Sequence, residues 1–111
     1  MVEKLCEFKI FISNKEADLK KIVEDVIEVA YKNGRYIFVD VLGVSVELEN
    51  VFIKSISVRE EKIELIEHPL ISSFLELIQA DLDKSKKLKD AGEVAKLWEE
   101  FKTKGDKIFL N

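Results

Sequence analysis

Apolar and polar positions alternate along the first part of the chain, and the period changes near its middle. In "CEFKIFI" (residues 6–12), Cys6, Phe8, Ile10 and Ile12 fall on one face of an extended strand. Ile22 to Tyr31 is rich in β-branched residues and runs into Asn33-Gly34, a pair whose tolerance of positive φ predicts a two-residue hairpin. "RYIFVDV" forms the returning strand, and Gly43 turns the chain into "VSVEL", with Val44, Val46 and Leu48 on one face. "VFIKSISV" and "KIELI" follow, separated by Arg59-Glu60-Glu61. About six short strands with tight turns predict a small antiparallel β-barrel over residues 1–67. Lys15 to Ile27 contains enough helix formers to compete, and we expect a helical turn or loop there, leading into the second strand.

Beyond His68-Pro69 the spacing becomes three and four. Ile71, Phe74, Leu75, Ile78 and Leu82 form the stripe of one amphipathic helix, and Val94, Leu97, Trp98 and Phe101 that of a second. Asp90 to Gly92 opens the second helix and Gly105 is a plausible stop, with "KIFLN" as a short strand or a tail on the sheet. The expectation is an α+β chain, mainly β: a barrel over 1–67 and a helical extension over 68–111. The extension would pack on the barrel or on a second subunit.

Composition narrows the function. The 111 residues contain no apolar run near the ~20 residues needed to span a bilayer. The N-terminus, Met1-Val2-Glu3-Lys4, lacks a signal peptide's hydrophobic region, so a cytoplasmic, membrane-free protein is expected. Up to Glu67 there are 14 acidic and 10 basic residues; from His68 onward there are 8 of each. Neither part has the basic excess that a phosphate backbone demands. The single basic cluster, Lys84 to Lys89, reads as the solvated end of a helix. The dominance of Lys and Glu among the charges is a profile of heat-adapted proteins and is silent on activity.

Catalytic material is thin. Cys6 and His68 are the sole cysteine and histidine, and no third group is placed to orient an imidazole. His68 reads as an exposed residue of the strand-to-helix connection. Asp25 and Asp40 read as strand carboxylates facing solvent or a turn amide, and Gly43 as a turn. Phe8, Phe11, Tyr31, Tyr36, Phe38 and Phe52 would make a base-stacking platform only if they shared a wet face, and core filling suits them better. Cys6 has two readings. It is a small buried hydrophobe, or, paired with the Cys6 of a second chain, a thiolate donor to a late divalent metal such as Ni(II).

The order "CEFKIFI", "VEDVIEVAYKNGRYIFVDVLG", "VSVELENVFIKSISVREEKIELIE" resembles the CooT-like family over residues 5–67. The resemblance implies an SH3-like or Sm-like barrel, often dimeric. It also implies a non-enzymatic role, with Ni(II) bound through the N-terminal cysteine of each protomer in the supply of nickel to a client metalloenzyme. The family is also described as predicted RNA-binding, which net charge disfavours here. Cys6 takes the place of the metal-binding cysteine, and Glu24-Asp25-Val26 that of an "EDV" segment with no ligand role. The sequence departs from the pattern in two places. Val2 to Leu5 separate Cys6 from the initiator methionine, moving the terminal amine away from the thiolate. The "D-L-F-G" turn is Asp40-Val41-Leu42-Gly43, without the Phe.

Overall fold

A computed structural model of the protein describes residues 7–13, 19–85 and 91–110. Six strands are followed by two helices: β1 (Phe8–Ser13), β2 (Leu19–Lys32), β3 (Arg35–Asp40), β4 (Ser45–Glu49), β5 (Val51–Ser57), β6 (Lys62–Glu67), α1 (Ile71–Ser85) and α2 (Ala91–Phe109). The strands form one sheet in the order β4-β3-β2-β1-β6-β5. This is an α+β fold.

The sheet differs from an antiparallel barrel in two respects. β1 and β6 run parallel, so the sheet is mixed. It is also not closed, because β4 and β5 are its edges. Yet these edge strands are consecutive in sequence, joined by Asn50 alone. A flat six-stranded sheet would hold its edges about 24 Å apart, so a one-residue link requires the sheet to curl strongly. Asn50 makes the corner with φ of 59°, a left-handed conformation that asparagine tolerates better than most residues.

A second bend lies in β2. Phe8 is opposite Val26 and Ile10 opposite Val23, so β2 holds an extra residue there, and Asp25 sits at φ 59°. The bulge lets one 14-residue strand pair with β1 at its start and β3 at its end. Leu19 to Lys21 therefore extend the strand, where a helical turn or loop was expected. Pairing with Phe11 to Ser13, and the packing of neighbouring Ile22 and Val23 against the core, override the local helix propensity.

The inner face closes over Ile10, Val26, Phe38, Val51, Ile63 and Leu65, which come from five of the six strands. Phe8, Ile12, Tyr36, Leu48 and Ile53 pack around them. The alternation of the sequence is thus realised in β1, whereas β2 reaches the core through Ile22, Val23, Val26 and Val29, a spacing set by its register shifts.

At the opposite pole, Asn33 (φ 51°) and Gly34 (φ 80°) make the predicted hairpin turn. Gly34 is needed twice over: a Cβ there would lie 3.0 Å from Glu76 Cγ and 3.3 Å from the Ser72 carbonyl oxygen of α1. The same corner fixes the start of α1. Asn50 Oδ1 accepts from the Ser72 N–H (3.0 Å), while Ser72 Oγ accepts from the Asn50 N–H (2.7 Å) and donates to the Gly34 carbonyl (2.7 Å). Asn50 thereby caps a helix 22 residues downstream and satisfies one of its free N-terminal amides.

α2 passes through Gly105 and continues to Phe109, so the expected stop and the terminal strand or tail are not formed. A Cβ at Gly105 would stand 4.0 Å from Leu70 Cδ1, an ordinary contact, so the helix passes through this glycine without a steric need for it. Ile108 extends the half-buried stripe of Leu97 and Phe101, and Phe109 stacks on the His68 ring at 5.7 Å. Among the described residues no helix is long and apolar enough to cross a membrane.

Candidate functional site

Cys6 lies outside the described residues, and the site is built from what surrounds the entry to β1. Phe8 pairs with Val26, and Val26 pairs with Asp40 on its other side. The Val41 N–H donates to the Asp25 carbonyl across 3.0 Å. Lys9 N–H donates to the Glu61 carbonyl at 2.8 Å, closing the β6 side. Three segments far apart in sequence therefore meet at one end of the sheet: the start of β1, the Asp25 bulge and the Asp40–Gly43 turn.

Asp40 is a turn builder. One carboxylate oxygen accepts from the Leu42 and Val44 amides, both at 2.9 Å, and its own amide donates to the Val44 carbonyl. Gly43 takes φ 84° with open space around its Cα. That oxygen is the acceptor that closes the turn, which matches the turn-amide reading of the sequence. The turn pushes Leu42 and Val44 into solvent, and Ile27 joins them from β2.

His68 is at the other end. β1 and β6 run parallel, with Lys9 opposite Lys62 and Ser13 opposite Ile66, so roughly 20 Å of strand separates the β1 entry from His68. Its Nδ1 accepts from the Leu70 N–H at 3.1 Å, leaving the ring proton on Nε2, and its ring lies on Phe109. His68 is a half-buried structural residue of the connection to α1, where an exposed one was expected.

The aromatic residues do not form a platform. Phe38 is fully buried, with Phe8 and Tyr36 packed against the same core. Tyr31 meets Tyr36 edge to face at 5.7 Å near the hairpin. Phe11 lies on the outer face beneath Lys62, whose ammonium is 5.8 Å from its ring. Lys62 also bridges Glu64 (2.9 Å) and Glu60 (3.2 Å). Those hydrogen bonds raise the Lys62 pKa, and the bond from Lys62 lowers that of Glu64. Of the Lys84–Lys89 cluster, Lys84 closes the last turn of α1; residues 86–90 lie outside the described residues.

Among the described residues no three His, Cys, Asp or Glu side chains are grouped to hold a metal ion.

A family model described as CO dehydrogenase accessory protein CooT matches residues 5–66, more than half of the chain. The chain belongs to the CooT family. The match begins just before Cys6 and ends within β6, so the sheet up to Ile66 is inside it and both helices are outside. A solved structure of a candidate CooT from Carboxydothermus hydrogenoformans is similar to the chain, at 19% identity and a TM-score of 0.52. It covers 57% of this chain and 98% of its own length, a likeness of fold that spans the CooT part alone. No curated protein matches the chain.

The residues that sequence reasoning missed are Asn50 and Ser72. Asn50 between two strands is a visible turn signal, but nothing local announces that its side chain caps a helix 22 residues later.

Proposed function

We propose that this protein is a non-enzymatic accessory protein that handles Ni(II) for a client metalloenzyme, the metal being held between the Cys6 thiolates of two chains. The observation that carries this reading is the family match over residues 5–66, whose description ties the family to CO dehydrogenase. Two features of the β1 entry support it. The Asp40 carboxylate builds the adjoining turn, and Cys6, the one cysteine of the chain, is the soft donor that the sequence offers a late metal. Ile27, Leu42 and Val44 hold apolar side chains out at the same end of the sheet as the start of β1, a surface suited to a second chain. One cysteine per chain suffices when two chains meet, with deprotonated amide nitrogens completing a planar N/S set.

The test is a Ni(II) titration of metal-free protein followed by absorption spectroscopy. A thiolate-to-nickel charge-transfer band that saturates and is absent in Cys6→Ala is the expected result. A band that persists in Cys6→Ala, or no band in the native chain, overturns the assignment.

A further inference from the structure

The core of the sheet is enclosed, but its two edges are not guarded alike. Among the described residues β4 pairs only with β3 and β5 only with β6, so each leaves one row of backbone N–H and C=O groups without a strand partner. β4 is five residues long, and its exposed side chains are Ser45, Glu47 and Glu49. Both glutamates pair with Arg35 of the neighbouring strand, at 3.2 and 3.5 Å. A short, charged edge of this kind discourages a further strand. β5 is seven residues long and exposes apolar side chains: Phe52 is 51% exposed, Ile56 57% and, just past the end of the strand, Val58 64%.

Charge separates the two edges further. Lys54 within β5 and Arg59 in the turn that follows are exposed, and neither forms an ion pair among the described residues. The nearby Glu60 and Glu64 are bridged by Lys62 instead. In a chain of net charge −4, two unpaired cations thus bracket Ile56 and Val58.

We propose that the β5 edge takes up an extended acidic segment of another protein as an added strand. Three observations together select that occupant. A row of unpaired amides and carbonyls is matched by a second backbone in extended form. Phe52, Ile56 and Val58 favour apolar residues at alternate positions of that backbone. Lys54 and Arg59 favour carboxylates among them and disfavour a basic segment. The register shift between Ile53 and Ser55 is a bulge, which pins the register of the added strand. β4, whose two glutamates share one arginine, disfavours the same segment. The docking uses neither Cys6 nor a metal, so it stands or fails apart from the nickel reading.

The probe is a dye-labelled, end-blocked peptide, Val-Glu-Val-Glu-Val-Glu-Val, added to the metal-free full chain and followed by fluorescence anisotropy and amide hydrogen exchange. Saturable binding is expected, more than about tenfold tighter than that of the Val-Lys counterpart, although the net charge of the chain alone would favour the basic peptide. Methylating the backbone nitrogens of the valines in one peptide, and of the glutamates in another, should leave one that binds and one that does not. Successive residues of a strand turn their amides to opposite edges, so only one set meets β5. The β5 amides that face away from β6 should exchange freely in the free chain and slow on binding, while those of β4 do not change. Lys54→Glu with Arg59→Glu, both at exposed positions, should weaken binding more than about fivefold. No saturable binding, equal binding of the Val-Lys peptide, or equal behaviour of the two methylated peptides overturns the proposal. So does protection of the β5 edge before peptide is added, or protection that appears on β4 or the helices. The peptide comparisons use the native chain, so they decide the matter even if the double variant fails to fold.

Discussion

The sheet and the helical extension use similar apolar residues to opposite ends. In the sheet, Phe38, Ile10, Leu65, Val26 and Val51 have almost no contact with solvent, because a curled six-stranded surface encloses what it faces. In the helices, Phe74, Ile78 and Trp98 remain about half exposed, because two antiparallel helices bury only the seam between them. One region is complete within a chain. The other has a stable attachment, at Asn50, Ser72 and Gly34, and an open face.

Substitutions sharpen the contrast. Phe38→Ala removes a large side chain from the closed core and is expected to cost about 3–5 kcal/mol in urea unfolding of the metal-free chain. Phe74→Ala, under dilute conditions, is expected to cost well under half of that. Equal losses would mean the helical face is already covered within one chain. Gly34→Ala tests the attachment next, combining a positive φ with a Cβ 3.0 Å from Glu76 Cγ; about 1–2 kcal/mol is expected. Adding Glu76→Ala should recover only the steric part.

Asn50→Gly keeps the left-handed corner but deletes the cap, and about 1 kcal/mol is expected. A double-mutant cycle with Ser72→Ala checks this: Asn50→Gly removes the bond from the Ser72 N–H and Ser72→Ala the bond from the Asn50 N–H, and the two losses should fall short of adding, since each bond holds the geometry of the other. Full additivity would dissolve the node.

The smallest effect concerns acid. Lys62 holds the folded pKa of Glu64 below its ordinary value. The pair therefore contributes fully above the unfolded carboxylate value, near about 4.3, and the contribution is lost as pH falls through the lower folded value. Glu64→Gln should show a shallower loss of stability with acid than the native chain, read from thermal midpoints across the acid range. Indistinguishable slopes would mean solvent screening has removed the interaction.

Much of this architecture was legible in the sequence. Alternation located the strands that reach the core, Asn33-Gly34 announced its hairpin, and three-four spacing found both helices. What escaped depends on distant partners. The parallel β1–β6 pairing is invisible along the chain, because β1 is as compatible with an antiparallel neighbour. The Asp25 bulge arises from β2 serving two partners, and the Asn50 cap spans 22 residues. Gly105 misled because glycine often ends helices, whereas here Ile108 carries the half-buried stripe of α2 on past it. For the site, the sequence singled out Cys6 by scarcity and the turn by its Asp and Gly. The meeting of that turn and the bulge with the start of β1 at one pole needed the sheet order.

The most direct test of the central claim is native mass spectrometry of the chain titrated with Ni(II), beside Cys6→Ala. The account predicts one nickel per two chains, bound by the native protein and not by the variant. Nickel bound one per single chain, or equally by Cys6→Ala, would contradict it.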